Sequence, residues 1–288
     1  MNPLQLVRLT ALMQVSSGRP EIAIALIDGP VAANESGRWS TSMQRLGNGG
    51  HLTCSQPAGL SCIHGTFVAG MLSARRDSQA PGICPGCTLL VRAVFTEDSK
   101  RSGEIPSAIP SELAQAIRDG VDAGARVINL SVSVGAASPR DKLCLEAALS
   151  YAAARGVIIV AAAGNQGEIG GSLLSRHPWL IPVAGCDAHG QPTANSNLGH
   201  SIGKRGLRAP SENIASLTPT GTIETFSGTS AAAPFVSGAI GLLWSKFPTA
   251  SASAVKQAIS GADRRPRRAV VPPLLDAWMA YQTLGLGF

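Results

Sequence analysis

Aromatic side chains make up only 4% of this 288-residue chain, and charged ones only 15%. With so few aromatics, and no basic run interleaved among them, a nucleic-acid surface built on base stacking is disfavoured. Low charge beside 44% hydrophobic content excludes a disordered chain. No apolar run approaches the ~20 residues that span a bilayer, so no membrane partner is expected. The stretch from Met1 to Thr10 lacks a basic leader followed by a continuous apolar core. That argues against a secretory signal and for the cytoplasm, with this stretch as a short amphipathic helix. Internal repeats, low-complexity tracts and linkers are also missing. Residues 1–288 therefore read as one domain, with 1–19 as an N-terminal helical extension and 263–288 as a basic loop and closing helix.

What is present is glycine, 32 residues of it, together with short apolar runs that end in turns. Ile22-Ala23-Ile24-Ala25-Leu26-Ile27 and Val157-Ile158-Ile159-Val160 are continuous apolar segments, the pattern of strands buried on both faces. Strands near 22–27, 88–94, 126–131 and 157–162 alternate with helices near 65–75, 111–123 and 141–155. That alternation predicts a three-layer α/β fold, a mostly parallel sheet with helices on both faces. Residues 28–63 read as an irregular loop region beside the sheet's carboxyl edge. Leu274 to Tyr281 reads as the closing helix, docked by Trp278.

Four segments carry chemistry-bearing residues. Phe226-Ser227-Gly228-Thr229-Ser230-Ala231-Ala232-Ala233-Pro234 sets a serine at the start of an apolar helix, where free N–H groups and the positive dipole end stabilise developing negative charge. Pro234 is expected to fall within the first turn, where no N–H donor is needed. His64-Gly65-Thr66-Phe67-Val68-Ala69-Gly70 suits a core helix with His64 at its exposed start. Asp28 ends one predicted buried strand, where α/β folds place ligands, and Gly164-Asn165-Gln166-Gly167 follows another. Taken singly, each has an ordinary reading: an N-cap serine, a structural histidine, a turn aspartate, a turn asparagine.

Together, in the order Asp, His, Ser, the four segments resemble the subtilisin-like serine proteases, the subtilases. Asp28 and His64 lie 36 residues apart, His64 and Asn165 101, and Asn165 and Ser230 65. The likeness continues through Ala125-Arg126-Val127-Ile128-Asn129-Leu130-Ser131 and Leu207 to Ser216, covering roughly residues 20 to 262. The resemblance implies a serine endopeptidase working through an acyl-enzyme. Ser230 would be the nucleophile, His64 the general base and Asp28 the residue orienting it, with Asn165 donating to the oxyanion. It also implies an extended peptide pairing beside Ser131, Val132 and Ser133, with Gly164 on the other flank. The alternative is a catalytically idle subtilase fold that binds peptides or acts as a scaffold.

Departures from the family pattern narrow the expectation. Asp28-Gly29-Pro30-Val31 has glycine and proline where most subtilases have Ser or Thr and then Gly. This variant resembles the cyanobactin-type proteases that mature ribosomal peptide natural products. Only 27 residues precede Asp28, less than a folding-assistant propeptide needs, which favours a narrow peptide target. A formal charge of +6 suits attraction of an acidic leader peptide, although a solvated surface loop is the preferred reading of Arg264 to Arg268. No cofactor or metal is expected. The loop from Asp77 to Gly82 is poor in carboxylates for calcium, and Cys84-Pro85-Gly86-Cys87 lacks the second pair a zinc site needs. Cys54 with Cys62 is the most plausible disulfide.

Overall fold

The computed structural model describes residues 2–32, 39, 43–47, 54–95, 107–132, 134, 137–261 and 269–287. Its strands are β1 (Ala23–Asp28), β2 (Met43–Arg45), β3 (Thr88–Ala93), β4 (Val127–Leu130), β5 (Ile158–Ala162), β6 (Ile181–Cys186), β7 (Leu207–Pro210), β8 (Ile214–Leu217) and β9 (Ile223–Phe226). The helices are α1 (Pro3–Leu6), α2 (Leu9–Val15), α3 (Leu60–Ser73), α4 (Pro110–Asp122), α5 (Pro139–Ala154), α6 (Leu173–Arg176), α7 (His200–Arg205), α8 (Thr229–Lys246), α9 (Ala252–Ile259) and α10 (Ala277–Gly285).

Among the described residues the main sheet has seven strands in the order β2-β3-β1-β4-β5-β6-β7, every pairing parallel. All six residues of β1 are buried because helices cover both faces. Ile24 and Leu26 face the cluster that contains α3 and α8, and Ala25 and Ile27 face the one formed by α4 and α5. From β4 to β7 the strands step outward in succession on one side of β1, while β3 and then the edge strand β2 lie on the other, so the direction of winding reverses at β1. Such a reversal opens a crevice at the carboxyl ends of the strands. The antiparallel pair β8–β9 leads from the sheet to the start of α8.

The expected strands and helices are all present, joined by β2, β6 and β7. Three details differ from expectation. The N-terminal stretch forms two short helices, and Leu9 and Leu12 of α2 are fully buried. At about 1.5–3 kcal/mol for each such side chain, the extension belongs to the core. The Arg76 guanidinium fastens it, donating to the carbonyls of Met13, Ser16 and Ile83. Next, His64 is the fifth residue of α3 and only 4% exposed, so it does not stand at an exposed helix start. Finally, Pro234 is the sixth residue of α8 and lies inside the helix, beyond its first turn.

Cys54 and Cys62 form a disulfide with Cα atoms 5.4 Å apart. Cys84 and Cys87 are free thiols buried near Gly241 of α8. Trp278 of α10 packs partly buried, with its ring stacked on Tyr281 at 4.9 Å. The basic segment 264–268 lies outside the described residues. Among the described residues, no helix is long and apolar enough to cross a membrane.

Candidate active site

Asp28 is the last residue of β1 and fully buried. Its Oδ1 accepts the Gly29 N–H at 2.6 Å and faces His64 Nδ1 at 2.7 Å. The approach depends on two glycines. A Cβ on Gly29 would strike the Ser61 carbonyl, and one on Gly65 would strike the Gly29 carbonyl. With neither present, α3 lies directly on the turn after β1 and brings the imidazole to the carboxylate. A carboxylate at Nδ1 favours the tautomer that carries its proton there, which puts the lone pair on Nε2. His64 Nε2 is buried without a hydrogen-bond partner, and so is Asp28 Oδ2. Unpaired buried polar atoms are uncommon in folded proteins and mark this pair as unfinished business for a ligand or reacting group.

Ser230 is the second residue of α8, partly exposed at the helix N-terminus. Asn165 follows β5 on an exposed loop. Its Oδ1 accepts both the Thr229 N–H at 2.8 Å and the Thr229 hydroxyl at 3.0 Å. The carboxamide is therefore turned so that its N–H₂ end points away from Thr229 and lies against Gly228, just before the start of α8. Thr229 Oγ1 in turn accepts the Gly164 N–H at 3.1 Å. Asn197 clamps the rest of this loop. Its N–H donates to the Gly164 carbonyl, its Oδ1 accepts from the N–H groups of Gln166 and Glu168, and its Nδ2 donates to Gln166 Oε1. Sequence reasoning passed over both Thr229 and Asn197. Thr229 adjoins the serine and was within reach of a motif reading. Asn197 lies 31 residues beyond Gln166 and had no local signal.

The remaining predicted positions divide. Ser131 follows β4 with its hydroxyl turned inward, donating to the Ser230 carbonyl at 3.1 Å. The Val132 side chain is buried in the cluster of α4 and α5, so a partner at this position meets its backbone. Gly164 is half-buried beside Asn165. Ser133 lies outside the described residues. At the loop considered for calcium, the Asp77 carboxylate is occupied by Arg75 through two hydrogen bonds.

The pattern of the subtilase family matches residues 52–268, and the chain is 34% identical to subtilisin DY of Bacillus licheniformis over 202 residues, 68% of this chain and 69% of that protein. The chain belongs to the subtilase family. This is a family of serine endopeptidases, and the parallel sheet with its flanking helices is the subtilisin-like fold. The match to subtilisin E of Bacillus subtilis, 33% identical, spans 65% of this subtilase and 46% of that protein's length. Among solved structures, a serine-to-alanine variant of the protease domain of PatA superposes with a TM-score of 0.82 at 30% identity, over 94% of this chain and 98% of that one. The prenylagaramide maturation protease PagA gives 0.79 at 28% identity, over 96% and 98%. The family match begins after Asp28, so it is the 2.7 Å approach to His64 that ties this aspartate to the site.

Proposed function

We propose that this subtilase hydrolyses peptide bonds with Ser230 as nucleophile, His64 as general base and acid, and Asp28 as the group that orients and charge-stabilises the imidazole. The observation carrying this reading is the buried Asp28–His64 contact at 2.7 Å, with Nε2 left unpaired on the side away from the carboxylate. A base must present an available lone pair to the hydroxyl it deprotonates, and a correctly tautomerised histidine does so. Ser230 Oγ attacks the scissile carbonyl as its proton passes to Nε2, and the imidazolium then protonates the leaving amine. The resulting acyl-enzyme is hydrolysed by water in the reverse sense. Asn165 Nδ2 and the Ser230 N–H donate to the oxyanion. The peptide runs extended past Ser131, Val132 and Ser133 on one side and Gly164 on the other.

The narrower part of the proposal concerns the substrate. PatA and PagA, which cover nearly the whole chain, are described as patellamide and prenylagaramide maturation proteases. Together with the Gly29-Pro30 turn, this supports removal of a leader from a ribosomal peptide precursor. The net charge of +6 suits a leader of acidic character. The reading places the reaction in the cytoplasm, a compartment whose reducing poise opposes the Cys54–Cys62 disulfide.

Treatment with a fluorophosphonate followed by intact-mass analysis tests the chemistry, because Ser230 Oγ displaces fluoride only when base and oxyanion donors are assembled. One adduct on the wild type, mapped to Ser230 and absent from Ser230→Ala, is the expected result. A folded wild type that stays unlabelled would instead make the chain a binding module in a protease fold.

A further inference from the structure

Pro234 creates a vacancy in the hydrogen bonding of the nucleophile helix. In an α-helix the carbonyl of residue i accepts the N–H of residue i+4, and proline has none to give. Pro234 lies four residues after Ser230, so the Ser230 carbonyl is the one deprived. Yet that carbonyl is occupied. The Ser131 hydroxyl, arriving from the end of β4, donates to it at 3.1 Å.

Ser131 is itself held from behind. Its Oγ accepts Asn129 Nδ2 at 2.9 Å, which commits the single hydroxyl proton toward Ser230. Asn129 Oδ1 accepts the Ser237 hydroxyl at 2.7 Å, and Ser237 lies two turns along α8 from Ser230 on the same face. Asn129 and Ser237 are fully buried and Ser131 is 4% exposed. Buried polar side chains need such partners, and a fully satisfied network fixes one geometry. The chain Ser237–Asn129–Ser131 thus leaves α8 and returns to it, closing on the main-chain carbonyl of the nucleophile.

We propose that Ser131 is a positioning residue: its hydroxyl replaces the helical donor removed by Pro234 and fixes the Ser230 backbone in the geometry from which Oγ gives its proton to the base. This rests on the proposed protease reading and goes beyond it, since it assigns the Ser131 side chain to the nucleophile and leaves only its backbone to the substrate.

A double-mutant cycle tests it: wild type, S131A, P234A and S131A/P234A, each followed by the rate of fluorophosphonate labelling and by steady-state hydrolysis of a peptide. In the Pro234 background, S131A leaves the part-buried Ser230 carbonyl without its donor and lowers the maximal labelling rate and kcat by about tenfold, with KM little changed. In the P234A background, residue 234 supplies the N–H, so the same S131A change costs less than about threefold. Equal losses in both backgrounds overturn the proposal, and a loss confined to KM overturns it in favour of direct substrate contact. If the wild type is not labelled at all, the protease reading falls and takes this inference with it. Labelling with a purely multiplicative cycle removes this inference alone.

Discussion

Two donors decide which end of the Asn165 side chain can meet a substrate. The Thr229 N–H and hydroxyl both point into Oδ1, so rotating the amide would set its N–H₂ against two donors and lose both bonds. The proposed oxyanion donor is therefore preset before any peptide arrives, which is the condition for electrostatic stabilisation without reorganisation. Asn165→Ala is expected to lower kcat by about 10²–10³, the range known for the corresponding donor in subtilisin, with KM little altered. Steady-state hydrolysis of a fluorogenic peptide reads both constants, and an unchanged kcat would remove Asn165 from the oxyanion site. At this scale the sequence pointed to the candidate residues, because Asp28, His64, Asn165 and Ser230 each sit in a recognisable motif. It was silent on how they are held. The Thr229 contact needs the end of β5 beside the start of α8, and the Asn197 clamp joins loops far apart in the chain. Neither juxtaposition leaves a local pattern.

Among the elements, α8 is the one on which site and core depend together. Its first turn carries Thr229 and Ser230, while its later turns are buried against β4, β5, β6 and β7. The same helix also lies close to the segment before β3 at Gly238, where an added Cβ would lie 2.9 Å from Ile83 Cβ, itself in the core. Alanine in a helix interior ordinarily gains about 1 kcal/mol over glycine. Overpacking a filled core costs about 1–3 kcal/mol, and here it wins. Gly238→Ala should therefore destabilise the protein. Gly285→Ala, at the end of α10 with Phe247 Cζ no nearer than 3.8 Å, should be neutral or stabilise it by up to about 1 kcal/mol. Urea unfolding of the two variants separates these cases, and equal effects would mean that Ile83 yields readily. The elements were legible wherever apolar residues ran continuously, as in β1 and β5. The start of α3 was not, because its N-cap is Gly59 and makes no side-chain cap bond. Without a Ser, Thr, Asp or Asn to mark the first turn, His64 read as the beginning of the helix when it is the fifth residue. Pro234 was misplaced by a similar count, since helix start and proline position together decide whether a donor is missed.

Across the whole molecule, several of the cations behind the +6 charge hold the chain together. Arg76 is spent on three carbonyls, and Arg205 donates to the carbonyls of Ser175 and Arg176. Lys256 of α9 reaches the Pro178 carbonyl at 2.9 Å and lies over the Trp179 ring at 4.5 Å, joining α9 to the segment before β6. Their carbonyl partners are neutral, so these cations keep their charge and still add to the field that an acidic peptide would meet. Burial, reinforced by the nearby Arg205 charge, pushes the Lys256 ammonium down to about 8 from its ordinary 10.5. A base whose folded value is depressed is penalised while charged. Below pH 8 both folded and unfolded chains hold the proton, and the folded state bears the full penalty. Between 8 and 10.5 the unfolded chain holds more protons than the folded one, so stability gains with rising pH. Other groups titrate over the same range, so the informative quantity is the difference in unfolding free energy between wild type and Lys256→Met. That difference should shift in favour of the wild type as pH rises from 8 to 10.5, and stay flat between pH 6 and 7.5. A difference independent of pH throughout would show that the Pro178 carbonyl and Trp179 ring compensate the ammonium fully for the water it has lost.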